Sequence, residues 1–209
     1  NTAAPCKVLF LDGELTVEQF KARFKQLTPS TPLRELARGN IYPMLARDSK
    51  VGRYDLLDKT FQANLIRFIV RNGITVVEVD NLITLGDKAL HGREDELFNF
   101  FYEIESHGAA VIFVNHATKD NEHFKGSADI ASKSQTIIQV EGRPVLARDD
   151  DASDAIKAAL TNDGDAVARL NFLKCKLPPK LNQKHEVYHL PVGGTWRSVC
   201  TFAGLSTWH

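Results

Sequence analysis

At 209 residues the chain is long enough for one domain with a substantial core, or for a domain with an appendage. Its 26 Lys and Arg balance its 26 Asp and Glu, so global charge cannot drive nucleic-acid binding and only local basic patches can. Apolar runs are too short to span a bilayer, no signal peptide opens the chain, and Cys6, Cys175 and Cys200 lack metal-ligand spacing. These features are those of a cytoplasmic protein with reduced thiols, and a start at Asn1 rather than Met reads as a fragment of a longer chain.

Lys7 to Leu11 is apolar and reads as a strand running into Asp12-Gly13-Glu14. Thr16 with Gln19 forms a capping box, and Val17, Phe20, Phe24 and Leu27 supply the apolar stripe of the helix behind it. Thr28 to Asn40, with Pro29 and Pro32, reads as turn-rich. Ile41 to Leu45 reads as a strand that Pro43 confines to an edge. Asp58 to Asn72 is a helix presenting Phe61, Leu65, Phe68 and Ile69 and stopped by Gly73.

Thr75 to Asn81 is the stretch around which the rest is organised. Four of its seven residues, Thr75, Val76, Val77 and Val79, are β-branched, which suits a buried strand of a parallel sheet, and it ends abruptly in Asp80-Asn81. A polar loop follows, Gly86 to Arg93, and then a helix, Glu94 to Ser106, burying Leu97, Phe98, Phe101 and Ile104. Ala109 to Val114 is a further buried strand, ending in Asn115-His116. Ala117 to Ala131 reads as a basic, Gly-containing loop without apolar periodicity. From Gln135 the pattern changes. Strands at 135–140, 166–174, 186–190 and 195–201, with a small helix near 152–160, suggest antiparallel hairpins following βαβ units.

Three strands thus deliver polar groups to one edge of a parallel sheet: Glu14, Asp80 and Asn115-His116. Ligands of open α/β sheets bind beyond the carboxyl ends of the strands. A carboxylate at position 14 suits the orientation of a water for attack on phosphorus, and one at position 80 suits a metal ion. Each also suits an ordinary solvated turn.

In order and spacing, Phe10-Leu-Asp-Gly-Glu-Leu15, Val79-Asp-Asn-Leu-Ile-Thr-Leu85, Val114-Asn-His-Ala-Thr-Lys-Asp120 and Lys125-Gly-Ser127 resemble the RecA-like P-loop ATPase core, nearest to the hexameric replicative helicases of the RepA family. The resemblance implies a RecA-like three-layer α/β fold over residues 1–209, with a largely parallel central sheet and C-terminal antiparallel strands. It implies ATP and Mg²⁺ as ligands, with Glu14 as the catalytic glutamate, His116 as a γ-phosphate sensor and Asp80 holding Mg²⁺ through water. Asn115, Lys174 and Lys176 would sense nucleotide, the two lysines from a neighbouring subunit of a ring. Lys88, Arg93, Lys119 and Lys125 would face single-stranded DNA. The sequence departs from the family in having no G-x-x-x-x-G-K-[ST], so the phosphate-binding strand and helix are missing and the domain reads as N-terminally incomplete. In the family that strand lies between the Val111 strand and the strand near Ile137. Glu78 is a second departure, a charge inside an apolar strand. Three readings follow: an ATPase domain that couples hydrolysis to DNA binding, inactive in this chain without its P-loop; a degenerate, non-hydrolysing DNA-binding or assembly partner; or a generic α/β domain whose strand-end polar residues coincide.

Overall fold

The computed structural model describes residues 6–28, 30–48, 54–85, 92–115, 128–144, 166–175, 185–192 and 195–202. Two compact units divide the chain, Asn1–Lys133 and Ser134–His209, and each carries one four-stranded sheet.

The first unit is an α/β domain. Its strands are β1 (Val8–Asp12), β2 (Ile41–Leu45), β3 (Val76–Asp80) and β4 (Ala110–Phe113), all parallel, in the order β2-β1-β3-β4. Leu9 and Leu11 share one face with Val77 and Val79, and helices α3 (Lys59–Asn72) and α5 (Glu94–Ser106) close over it. Helix α3 carries its boundaries in the sequence. Asp58 caps α3, its side chain accepting from Phe61 N–H, and Gly73 ends the helix in the left-handed conformation at φ 64°, which costs a glycine nothing. Leu97, Phe98, Phe101 and Ile104 of α5 are buried, with the Phe98 and Phe101 rings against Phe113 of β4.

The opposite sheet face carries Phe10, Glu78 and Ile112 in one register row. Helix α1 (Val17–Leu27) meets it through Phe20, whose ring lies 5.8 Å from that of Phe10. The expected capping box at Thr16 and Gln19 is formed. The stripe behind it is not buried as expected: no residue of α1 is fully covered, and Leu27 is 68% exposed. Among the described residues Phe10 makes the aromatic contact from sheet to helix, and Val17, Phe20 and Phe24 of α1 are half-buried.

Two stretches read as loops are partly helical. Helix α2 (Thr31–Asn40) includes Pro32 in its first turn, where a missing N–H forfeits no helical hydrogen bond. Helix α6 (Ala128–Lys133) is anchored by buried Ile130 and by an ion pair from Lys133 to Asp95 of α5. Strand β2 pairs only with β1 among the described residues, leaving Pro43 on an edge as expected. Strand β4 likewise pairs only with β3.

The second unit is an antiparallel meander of β5 (Thr136–Pro144), β6 (Ala166–Cys175), β7 (His185–Val192) and β8 (Thr195–Phe202), in sequence order. Among the described residues the strand containing Ile137 pairs with β6 of this second sheet. The small helix near residues 152–160 lies outside the described residues. No helix among the described residues is long and apolar enough to cross a membrane.

Candidate active-site edge

Because β1 and β3 run parallel and in register, Asp12 stands opposite Asp80 and their following turns emerge side by side. The turn after β1 is built by Asp12, which is 1% exposed. Its Oδ1 accepts from the N–H groups of Glu14 and Leu15 at 2.7 and 2.6 Å, an Asx-type turn that fixes the backbone of Glu14. Gly13 N–H donates to the Asp80 carbonyl at 2.8 Å and ties the two strand ends together. A side chain at position 13 would run into Thr84, whose Cβ would lie 2.5 Å from the added carbon.

The turn after β3 begins at Asn81, joined to Asp80 by a cis peptide and 1% exposed. Its Oδ1 accepts from the N–H groups of Ile83 and Thr84, both at 3.1 Å, and so caps the single-turn helix α4 (Leu82–Leu85). Its Nδ2 donates to Glu14 Oε1 at 2.7 Å. Arg47, in the short 3-10 turn after β2 (Ala46–Asp48), donates to the Glu14 carbonyl at 3.3 Å. Asn115 follows β4 at the same edge, where Val114 N–H continues the ladder to the Val79 carbonyl.

The edge thus gathers Glu14, Arg47, Asp80, Asn81 and Asn115 from the ends of four parallel strands. Glu14, Asp80 and Asn115 were legible as strand-end polar residues. Arg47 and the contact of Asn81 with Glu14 were not, because they join positions 33 and 67 residues apart without a local pattern. His116, Lys88, Lys119, Lys125 and Lys176 lie outside the described residues. Lys174 lies on β6 of the second unit, opposite Ile137. Arg93 precedes α5 and grips Glu96 with two hydrogen bonds, Nε to Oε1 at 2.9 Å and Nη2 to Oε2 at 2.7 Å. These bonds hold the Glu96 carboxyl below its ordinary range and the Arg93 guanidinium above its own. A phosphate approaching Arg93 therefore competes with a carboxylate already in place.

Glu78 points from the middle of β3 into the less covered face. Burial raises its pKa first, and the like charges of Asp80 and Asp12 add to the rise.

No family model matches the chain, and no curated protein matches it in sequence. What the edge can hold is therefore judged from its own residues. Among those described, no three His, Cys, Asp or Glu side chains converge as a closed metal site. Mg²⁺ asks for less, since it keeps several waters and is commonly held by one or two carboxylates together with phosphate oxygens. Asp80 at a strand end fits that requirement. For the β- and γ-phosphates of ATP the sequence supplies no Gly-rich loop with its Lys.

Proposed function

We propose that this chain carries the water-activating and metal-binding edge of a RecA-like ATPase domain from a replicative helicase or recombinase-type protein that acts on single-stranded DNA. The observation that carries the reading is that neighbouring, in-register parallel strands bring Glu14 and Asp80 to one edge of the sheet, with Asn81 bonded to the Glu14 carboxylate. In this reading Glu14 would orient a water for attack on phosphorus, and Asp80 would be the side chain that helps hold Mg²⁺. Bound ATP would supply the phosphoryl group, and the Gly-rich cradle the family uses for it is not found in this sequence. Strand β4, paired among the described residues with β3 alone, suits the addition of one more parallel strand. The DNA face would be formed by Lys88, Lys119 and Lys125, with Arg93 joining once released from Glu96.

The degenerate, non-hydrolysing alternative draws on Glu78, a charge held on an otherwise largely apolar face beside Asp12 and Asp80. The two readings differ at the metal. With Mn²⁺ standing in for Mg²⁺, paramagnetic broadening in NMR spectra is expected to erase the amide signals of Gly13, Glu14, Asp80 and Asn81 first. Asp80→Asn should abolish that preference. Broadening that begins elsewhere, or that ignores Asp80→Asn, would favour the non-catalytic partner.

A further inference from the structure

We propose that Asn81 is a positioning residue, which aims the Glu14 carboxylate and makes that aim depend on helix α4. The inference deepens the ATPase reading, on which the role of Glu14 rests. The contact itself stands on geometry alone.

The orientation of the Asn81 amide is not arbitrary. Its oxygen takes two backbone N–H groups, those of Ile83 and Thr84, and Thr84 Oγ1 lies 3.3 Å from the same oxygen. Flipping the amide would press its NH₂ group against two N–H donors, so the nitrogen must face away from α4. What it faces is Glu14 Oε1, at 2.7 Å, the short distance expected when the acceptor is charged. Asn81 is almost wholly buried whereas Glu14 is exposed. The buried partner thus holds the exposed one.

The backbone of Glu14 is fixed separately, through Asp12 Oδ1 and Arg47. Without Asn81 the turn would keep its path and the carboxylate would lose this restraint. No other side-chain type reproduces the arrangement at this length. An Asp would cap α4 equally well but turn an acceptor towards Glu14. A Ser or Thr would have to divide one hydroxyl between the cap and the carboxylate. Because cap and aim share one amide group, a shift of the first turn of α4 rotates the donor away from Glu14. An event that moves α4 therefore reaches the water-orienting carboxylate through one side chain.

A hydrogen-bond swap tests this. Asn81→Asp keeps the cap acceptor, replaces the donor by a carboxylate facing Glu14, and is expected to lower the unfolding equilibrium stability constant roughly tenfold. Glu14→Gln alone keeps an acceptor oxygen for Asn81 and should change that constant by less than about threefold. Combined with Asn81→Asp, Glu14→Gln offers its own NH₂ to the new carboxylate and should restore most of the loss. A double variant no more stable than Asn81→Asp would overturn the proposal. Should Asn81→Asp fail to fold, Glu14 variants decide by NMR, since position 14 is exposed. Glu14→Ala should shift the Asn81 carboxamide signals and speed their exchange with water, whereas Glu14→Gln should leave them close to their original place. Unmoved signals in Glu14→Ala would refute the contact. Neither measurement uses nucleotide, metal or DNA, so failure here is distinct from failure of the ATPase reading, which the Mn²⁺ experiment judges.

Discussion

The two faces of the parallel sheet are built by alternate residues of the same four strands, yet they are different environments. On one, Leu9, Leu11, Val77 and Val79 are almost completely buried beneath α3 and α5. On the other, Phe10 touches Phe20 of α1, Glu78 is half-buried, and Ile112 is 55% exposed. Parallel sheets are ordinarily covered on both sides, because their crossovers place helices on both faces. The first face behaves as a domain interior. The second has the composition of an interior over part of its area without the covering.

The comparison breaks most directly by truncation. Leu11→Ala on the closed face should cost about 2–5 kcal/mol in denaturant unfolding, the usual price of a large-to-small change in a packed core. Ile112→Ala on the open face should cost about 1 kcal/mol or less, since most of that side chain already meets water. Equal costs would mean that the open face is covered in solution.

Glu78 sharpens the contrast with an effect of opposite sign. Its folded pKa lies above the ordinary 4.5, so between the two values the folded state holds more protons than the unfolded one. Its favourable contribution is therefore complete below the ordinary value and is lost as the pH rises through the folded one. Glu78→Gln is expected to raise the thermal midpoint at neutral pH, by less than Leu11→Ala lowers it, and to flatten the fall in stability over that window. A pH profile identical to that of the parent would show that Glu78 is fully solvated.

The smallest expected change in stability is at the edge of the open face. Ile112→Lys should alter unfolding free energy by no more than about 0.5 kcal/mol, as exposed substitutions usually do. Its signal lies in association, because a charge on a strand that pairs on one side among the described residues discourages strand-to-strand contact. Light scattering should give a smaller average mass for Ile112→Lys than for the parent wherever the parent self-associates. If the parent self-associates and the average mass is unchanged, β4 is not the associating edge.

Much of the α/β unit was readable because its signals are local. Thr16 with Gln19, Asp58, and Gly73 each act within one helical turn, and each marks a boundary that the structure keeps. What escaped was non-local or short. Pro32 suggested a turn because proline breaks helices in their interiors, and whether it lies in a first turn depends on where the helix begins. Six residues at Ala128–Lys133 are too few to show a period, and the ion pair that anchors them spans 38 positions. The β-branched run from Thr75 looked buried throughout, yet only Val77 and Val79 are fully buried, and Glu78 was the residue that signalled otherwise. At the strand-end edge the residue types were visible early. The hydrogen bonds that orient them, from Asn81 and Arg47 to Glu14, required the register of three strands.

Gly13 carries a consequence for how such sequences diverge. Its missing Cβ is the space that Thr84 occupies, and Thr84 is 71 positions away in the chain. The two sites must therefore drift together: a lineage that gains a side chain at 13 can keep this turn only if the residue at 84 shrinks. A distant cousin would then betray itself less by overall identity than by this reciprocal pair, set within Asp-Gly-Glu at one strand end and Asp-Asn-x-x-Thr at its neighbour. When few other letters survive, such a bipartite signature is the heritable trace of two chain segments that touch.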